Sequence, residues 1–203
     1  MTAQRRKTGP GRPAGNRSGG RDELLAAARR LIAKGEALDA RAVAREAGRG
    51  LGTLTHHFRT GGMHELRSAL AAQGYRDLEQ QLRLVQLRER DAEAGLRAMA
   101  TAVARFMLNE LPLGRLMISQ SWDTEAATAA DGQRRMVREQ LLRCQATGRI
   151  RQGDPERIQR TGRAAFYGIM LQVLEGAMTK REALALTSDV LDDLFDGIRP
   201  RRP

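Results

Sequence analysis

Residues 47–58 read Ala47-Gly48-Arg49-Gly50-Leu51-Gly52-Thr53-Leu54-Thr55-His56-His57-Phe58. Gly48-Arg49-Gly50 is a break, and 51–57 can form a short helix after it. Together with Val43 and Ala44 just upstream, the run has the spacing of two helices joined by a sharp turn. Ala44 supplies a small residue where two helix axes cross closely. Gly48 can adopt the positive φ that such a turn needs. Leu54 then returns to plug the core beneath the turn, so the outer side of 51–57 is left free.

Reading outward, Asp39 can cap a helix over 40–47, with Leu38 as a hydrophobic staple. Before it, Leu24, Ala28, Leu31 and Ile32 fall at i, i+4, i+7 and i+8 of a helix that starts at Arg21 and closes at Lys34-Gly35. Beyond the break at Arg59-Thr60-Gly61-Gly62 the helices lengthen. The pattern predicts helices over 63–87, 91–109, 112–123 and 124–147, the last ended by Gly148. Asp154-Pro155 is an N-cap followed by proline at the first helical position. The helix it opens carries Ile158, Gly162, Ala165, Phe166, Ile169, Met170 and Val173, and a final helix over 182–196 presents Val190, Leu191, Leu194 and Phe195. No strand alternation and no internal repeat occurs. The expected fold class is all-α, an N-terminal three-helix helix-turn-helix domain over 21–68 followed by a roughly six-helix domain over 69–198. A basic arm, rich in Gly, Pro and Arg and expected to be disordered, precedes them over 1–20, and a basic tail follows over 199–203.

The chain has 203 residues, with 41% hydrophobic and 29% charged residues and a net charge of +11. That content supports a core and excludes wholesale disorder. A single cysteine excludes a disulfide scaffold and a cysteine-rich metal site. No apolar stretch is long enough to span a bilayer, and the basic start is not followed by the apolar run of a secretory signal, so the expected location is cytoplasmic. The charge is concentrated at the ends. Residues 1–21 hold six bases and no acid, and 199–203 hold three more, while the body between is close to neutral. A cationic arm on a neutral body suits a phosphate-rich partner, and it equally suits a solubilising tail.

The free outer face of 51–57 has the shape of a helix that enters a DNA major groove. Here the residues resemble a known family. The run 47–58 is similar to the TetR-family signature, commonly written AGVSKGTLYHHF, and differs from it at Arg49, Gly50, Leu51 and Thr55. The likeness starts at Asp22-Glu23-Leu24-Leu25-Ala26-Ala27-Ala28. It continues in layout to Gly148-Arg149-Ile150-Arg151 and Asp154-Pro155, similar to the turn before the family's eighth helix. The resemblance implies a homodimeric regulator of transcription that binds an inverted-repeat operator in double-stranded DNA. It also implies a pocket for a small-molecule effector, and a pairing of the last two helices with a second subunit.

On that reading the DNA-facing residues are Arg41, Arg49, Gly50, Leu51, Gly52, Thr53, Thr55, His56, His57 and Arg59, with Arg12 reaching from the arm. Gly52 would let backbone approach phosphates, the threonines and histidines would donate to phosphates or base edges, and Arg49 could read guanine. Arg12 in Gly11-Arg12-Pro13 would enter a minor groove or add charge. Phe106, Met107, Met117, Trp122, Met136, Cys144, Tyr167 and Met170 are pocket candidates, flexible and apolar, and the same spacing describes ordinary core. Phe166, Ile169, Val173, Leu191, Leu194 and Phe195 make the expected dimer ridge. No metal or cofactor is expected, because adjacent His56 and His57 point roughly 100° apart on a helix and lack supporting ligands. No nucleophile motif is present, so an enzyme is not expected. A repressor released by a small, mostly apolar ligand is the leading expectation. The alternative is an effector-independent DNA-binding protein, architectural or partnered by another protein, with a filled interior.

Overall fold

Hydrophobic stripes at helical spacing become nine helices in a computed structural model that describes residues 17–200. Among the described residues there is no strand. The helices are α1 (Arg17–Ala33), α2 (Ala40–Glu46), α3 (Leu51–His57), α4 (Met63–Arg88), α5 (Ala92–Asn109), α6 (Leu111–Ser119), α7 (Thr124–Ala146), α8 (Pro155–Leu174) and α9 (Lys180–Ile198). Arg12, most of the basic arm and residues 201–203 lie outside the described residues.

The start and stop signals act locally as their chemistry dictates. The Asp39 side chain accepts from the Ala42 amide at 2.8 Å and caps α2. Asp91, Asp123 and Asp154 cap α5, α7 and α8 in the same way. Gly35, Gly48 and Gly148 adopt positive φ where α1, α2 and α7 end. Three boundaries differ from expectation. α1 begins at Arg17, four residues before the expected start at Arg21 and through Gly19-Gly20. α6 ends at Ser119 rather than near 123, because Asp123 serves as the N-cap of α7. α9 begins at Lys180 because Thr179 and Glu182 form a reciprocal capping box, with the Thr179 amide donating to Glu182 at 2.8 Å.

One core runs through most of the molecule. Leu24, Leu31, Val43, Leu54 and Phe58 from α1–α3 and the following turn join Leu66, Leu70 and Leu78 of α4, then Met99, Leu113 and Ile169 beyond. A smaller cluster of Leu96, Leu141, Cys144, Ile150 and Phe195 closes the far end. α4 is the shared element. It packs on α1, which in turn carries α2 and α3, and on α5, α6 and α7. Polar ties lock α1 to that body. Arg29 holds Asp77 of α4 at 2.6 Å and Glu110 at the α5–α6 corner at 2.7 Å, and Arg21 holds Glu125 of α7 at 3.1 Å. A forked pair such as Arg29 with Glu110 fixes orientation as well as distance.

Candidate nucleic-acid interface and internal cavity

The turn between α2 and α3 is built as its residues require. Gly48 has φ +63°, which a side chain would strain. Ala44 is buried at the crossing, and Leu54 (4% exposed) and Phe58 (1%) fill the space beneath. With these turned inward, Leu51, Gly52, Thr55, His56 and Arg59 share the outer face, Leu51 at 48% exposure. Arg41 is exposed on α2 beside them.

Individual roles separate on closer view. Gly50 is the N-cap of α3 and offers no side-chain cap; the Thr53 amide donates to the Gly50 carbonyl at 2.9 Å, and the Leu51 and Gly52 amides are left for another acceptor. Thr55 Oγ1 donates back to the Leu51 carbonyl at 3.3 Å, leaving its lone pairs outward. Arg59 folds over the helix end, donating to the His56 carbonyl at 3.1 Å and lying 3.0 Å from His56 Nδ1. Arg49 pairs with Glu23 of α1 at 2.6 Å, so it must leave that carboxylate before it can contact a base. Thr53 is half-buried. His57 is turned toward α1, where a Cβ on Gly20 would lie 2.6 Å from its Nε2. Burial lowers its pKa below the ordinary imidazole value, and His56, Arg21 and Arg59 push the same way. His57 therefore also packs between α1 and α3, unlike the exposed His56.

The second feature is a partly open cavity of about 170 Å³ lined by α4, α5, α7, α8 and α9. Of the expected pocket residues it is lined by Met107 and Tyr167. Phe106, Met117, Met136, Met170 and Cys144 are buried in packing elsewhere. The Cys144 Sγ sits 3.1 Å from the Ala92 carbonyl, and burial pushes the thiol up to about 11, so it is an inert core group. Trp122 is 92% exposed in the turn before α7 and takes no part in the cavity. A large apolar residue beside a helix cap was read as core because spacing alone does not give direction in a turn.

Of the expected dimer ridge, Phe166, Ile169, Leu191, Leu194 and Phe195 line this cavity, with Phe166, Leu191 and Leu194 half-buried, and Val173 packs on the main core. The outer stripes of α8 and α9 are different residues: Ala164, Gly168 and Leu171 (54% exposed) on α8, and Ala185, Ser188, Asp189 and Asp193 on α9. Sequence reading missed the polar lining as well. Tyr75, Gln133, Arg134, Gln159 and Arg163 stand in the cavity wall. An arginine next to Gly162 on an otherwise apolar stretch of α8 was the available signal.

No helix of the described residues is long and apolar enough to cross a membrane, and no cluster of His, Cys, Asp and Glu among them could hold a metal ion. No protein-family model matches the sequence, and no curated protein sequence matches it either. Solved structures do match in shape. A protein of unknown function from Rhodococcus sp. RHA1 is similar over 93% of this chain and 99% of its own, at 27% identity and a TM-score of 0.75. A putative TetR-family transcriptional regulator from Mesorhizobium loti is similar over 91% of this chain and 99% of its own, at 16% identity and a TM-score of 0.68. The transcriptional regulator FadR from Bacillus subtilis, solved with stearoyl-CoA, is similar over 88% of this chain and 99% of its own, at 16% identity and a TM-score of 0.68. The fold is that of the TetR-family transcriptional regulators.

Proposed function

We propose that the protein is a DNA-binding regulator of transcription that acts as a homodimer. In this reading it is a repressor that leaves an inverted-repeat operator when a small, mostly apolar molecule fills the internal cavity. The observation that carries the reading is the outer face of α3. Leu51, Gly52, Thr55 and His56 stand exposed on a helix whose other side is locked by Leu54 and Phe58. That is what a major-groove reader needs: a rigid support, small residues at the entering end, and hydroxyl and imidazole groups for base edges and phosphates. Leu51 offers an apolar contact for a thymine methyl. The uncapped first turn of α3 offers its amides to a phosphate.

Dimerisation is assigned to the outer stripes of α8 and α9. Ala164 and Gly168 allow close helix approach, and Arg157 and Arg160 on α8 complement Asp189 and Asp193 on α9. Two reading heads then sit a full DNA turn apart, about 34–36 Å or a multiple. The cavity supports an effector-controlled reading over one with a filled interior. An effector can break the spacing only by its preference for the misaligned state, about 5.5 kcal/mol for a complete swing.

The test is selection of binding sites from random duplex DNA, followed by anisotropy titration of the winner. The expected product is an inverted repeat whose affinity falls steeply with salt. Thr55→Ala and His56→Ala should each weaken binding roughly tenfold with unchanged melting, since each removes about one contact to DNA. Recovery of no preferred sequence would refute the regulator reading and leave a basic coating protein.

A further inference from the structure

The cavity wall is electrically one-sided. Arg134 of α7 and Arg163 of α8 line it, and no carboxylate does. Arg134 reaches out to Asp131, an exposed acid at 2.8 Å. The nearby Glu79 of α4 is taken by Arg83 at 2.6 Å. Arg163 is half-buried and makes no ion pair among the described residues. Arg163 and Tyr167 lie one helical turn apart on α8, and both line the cavity with Arg134 and Tyr75. Burial pushes the Tyr75 hydroxyl up, Tyr167 adds to that, and Arg134 and Arg163 both pull the other way. Tyr75 donates to the Met117 carbonyl at 3.0 Å, so its oxygen keeps acceptor capacity while Tyr167 stands beside it. The rest of the lining is mainly apolar, with Leu96, Val103, Leu141, Ile158 and Phe195.

We infer that the effector is a small carboxylic acid, with a single ring or a short chain as its apolar body and its carboxylate seated against Arg163 and Arg134. This rests on the effector reading above and adds its chemical class. A half-buried guanidinium without a counter-ion is poorly solvated, and a forked carboxylate satisfies it with two parallel hydrogen bonds. A space of about 170 Å³, close to the roughly 150 Å³ that takes up benzene, suits a single ring or a short chain. If the arginine stems merely cover apolar surface with their heads in water, charge will not matter to binding.

The experiment is calorimetry on the full chain without DNA. Benzoate, phenylacetate, hexanoate and octanoate are each paired with the matching alcohol: benzyl alcohol, 2-phenylethanol, hexanol and octanol. At least one acid should bind roughly tenfold or more tighter than its alcohol, the worth of a charge-assisted hydrogen bond. Arg163→Gln should remove that preference while leaving alcohol binding unchanged, and Arg163→Lys should restore only part of it, since lysine keeps the charge and loses the fork. Equal binding of acids and alcohols, no binding by any acid, or a preference that survives Arg163→Gln would overturn the inference. Operator affinity of the ligand-free protein is a separate readout. Its loss would defeat the regulator reading, whereas its survival without acid binding would defeat only the assignment made here.

Discussion

The helices α1–α3 and the helices around the cavity are made from similar residues and packed to different ends. Beneath the turn, Leu54 and Phe58 leave no void and hold a polar face outward. Between α7, α8 and α9 the same kind of apolar stripe stops short of closing, and Phe166, Leu191 and Leu194 stay half-buried around open space. On the function proposed above, a reading head that searches DNA is suited by tight packing, and a sensing body that holds two shapes of similar energy is suited by an incompletely filled interior. α4 belongs to both, and the ion pairs of Arg21 and Arg29 link one to the other.

The largest expected effect tests that contrast directly. Phe58→Ala should destabilise the protein by about 3–5 kcal/mol, because it empties a fully packed site. Phe166→Ala, beside a void that already exists, should cost about 1–2 kcal/mol, since only part of the side chain is withdrawn from water. Urea denaturation followed by circular dichroism compares the two. Both variants should keep a single transition, since one helix and one core span the two regions. Equal losses would show that the body is packed as firmly as the head.

A middle-sized effect lies at the seam. Asp123 caps α7 through the Glu125 amide at 3.2 Å, accepts from the Ser68 hydroxyl, and meets His64 Nε2 at 2.9 Å, the last two on α4. The Ser68 hydroxyl holds its pKa below the usual carboxylate range, against a smaller opposing effect of burial. A carboxylate whose pKa is lower in the folded state contributes stability that is complete above the ordinary value near 4, and is lost as pH falls through the depressed one. Asp123→Ala should therefore cost about 1–2 kcal/mol at pH 7, on the scale of a lost N-cap. The gap to the unaltered protein should narrow below about pH 4. A gap independent of pH would remove Asp123 from any role as an ionised link between head and body.

The same contrast explains what could be read from the sequence. Around the turn, each position has one job at fixed spacing. Gly48 needs positive φ and Leu54 needs the interior, so Leu51 and Thr55 are left outside, and residue type and order carried that much. They did not carry the neighbour of His57, because it is Gly20 near the start of α1, distant in sequence. In the body, spacing located every helix, and the all-α class and the order of elements followed. It could not say which neighbour a stripe would meet. Phe166 and Leu194 were read from spacing as facing a second subunit, and within one chain they line a cavity between their own helices. Arg163 was passed over because an arginine on a helix is ordinarily a solvated one. Trp122 shows the reverse error, a large apolar side chain placed inside that the turn sends out.

The smallest expected effect concerns the entry to α3. α2 is capped by Asp39, and α3 begins at Gly50, whose backbone is extended (φ −75°, ψ 153°) and whose Cβ position is open for 4 Å around. A side chain fits there without strain. Gly50→Ser should place a hydroxyl within reach of the Gly52 or Thr53 amide and stabilise the protein by a few tenths of a kcal/mol, about what separates serine from glycine at this position. If the uncapped amides instead serve a phosphate, the gain in stability comes with competition for the same donors. Operator affinity should then stay level or fall slightly while the melting temperature rises. A rise in both would mean that the amides of α3 are not the phosphate site, and that contact would pass to the side chains of Thr55 and His56.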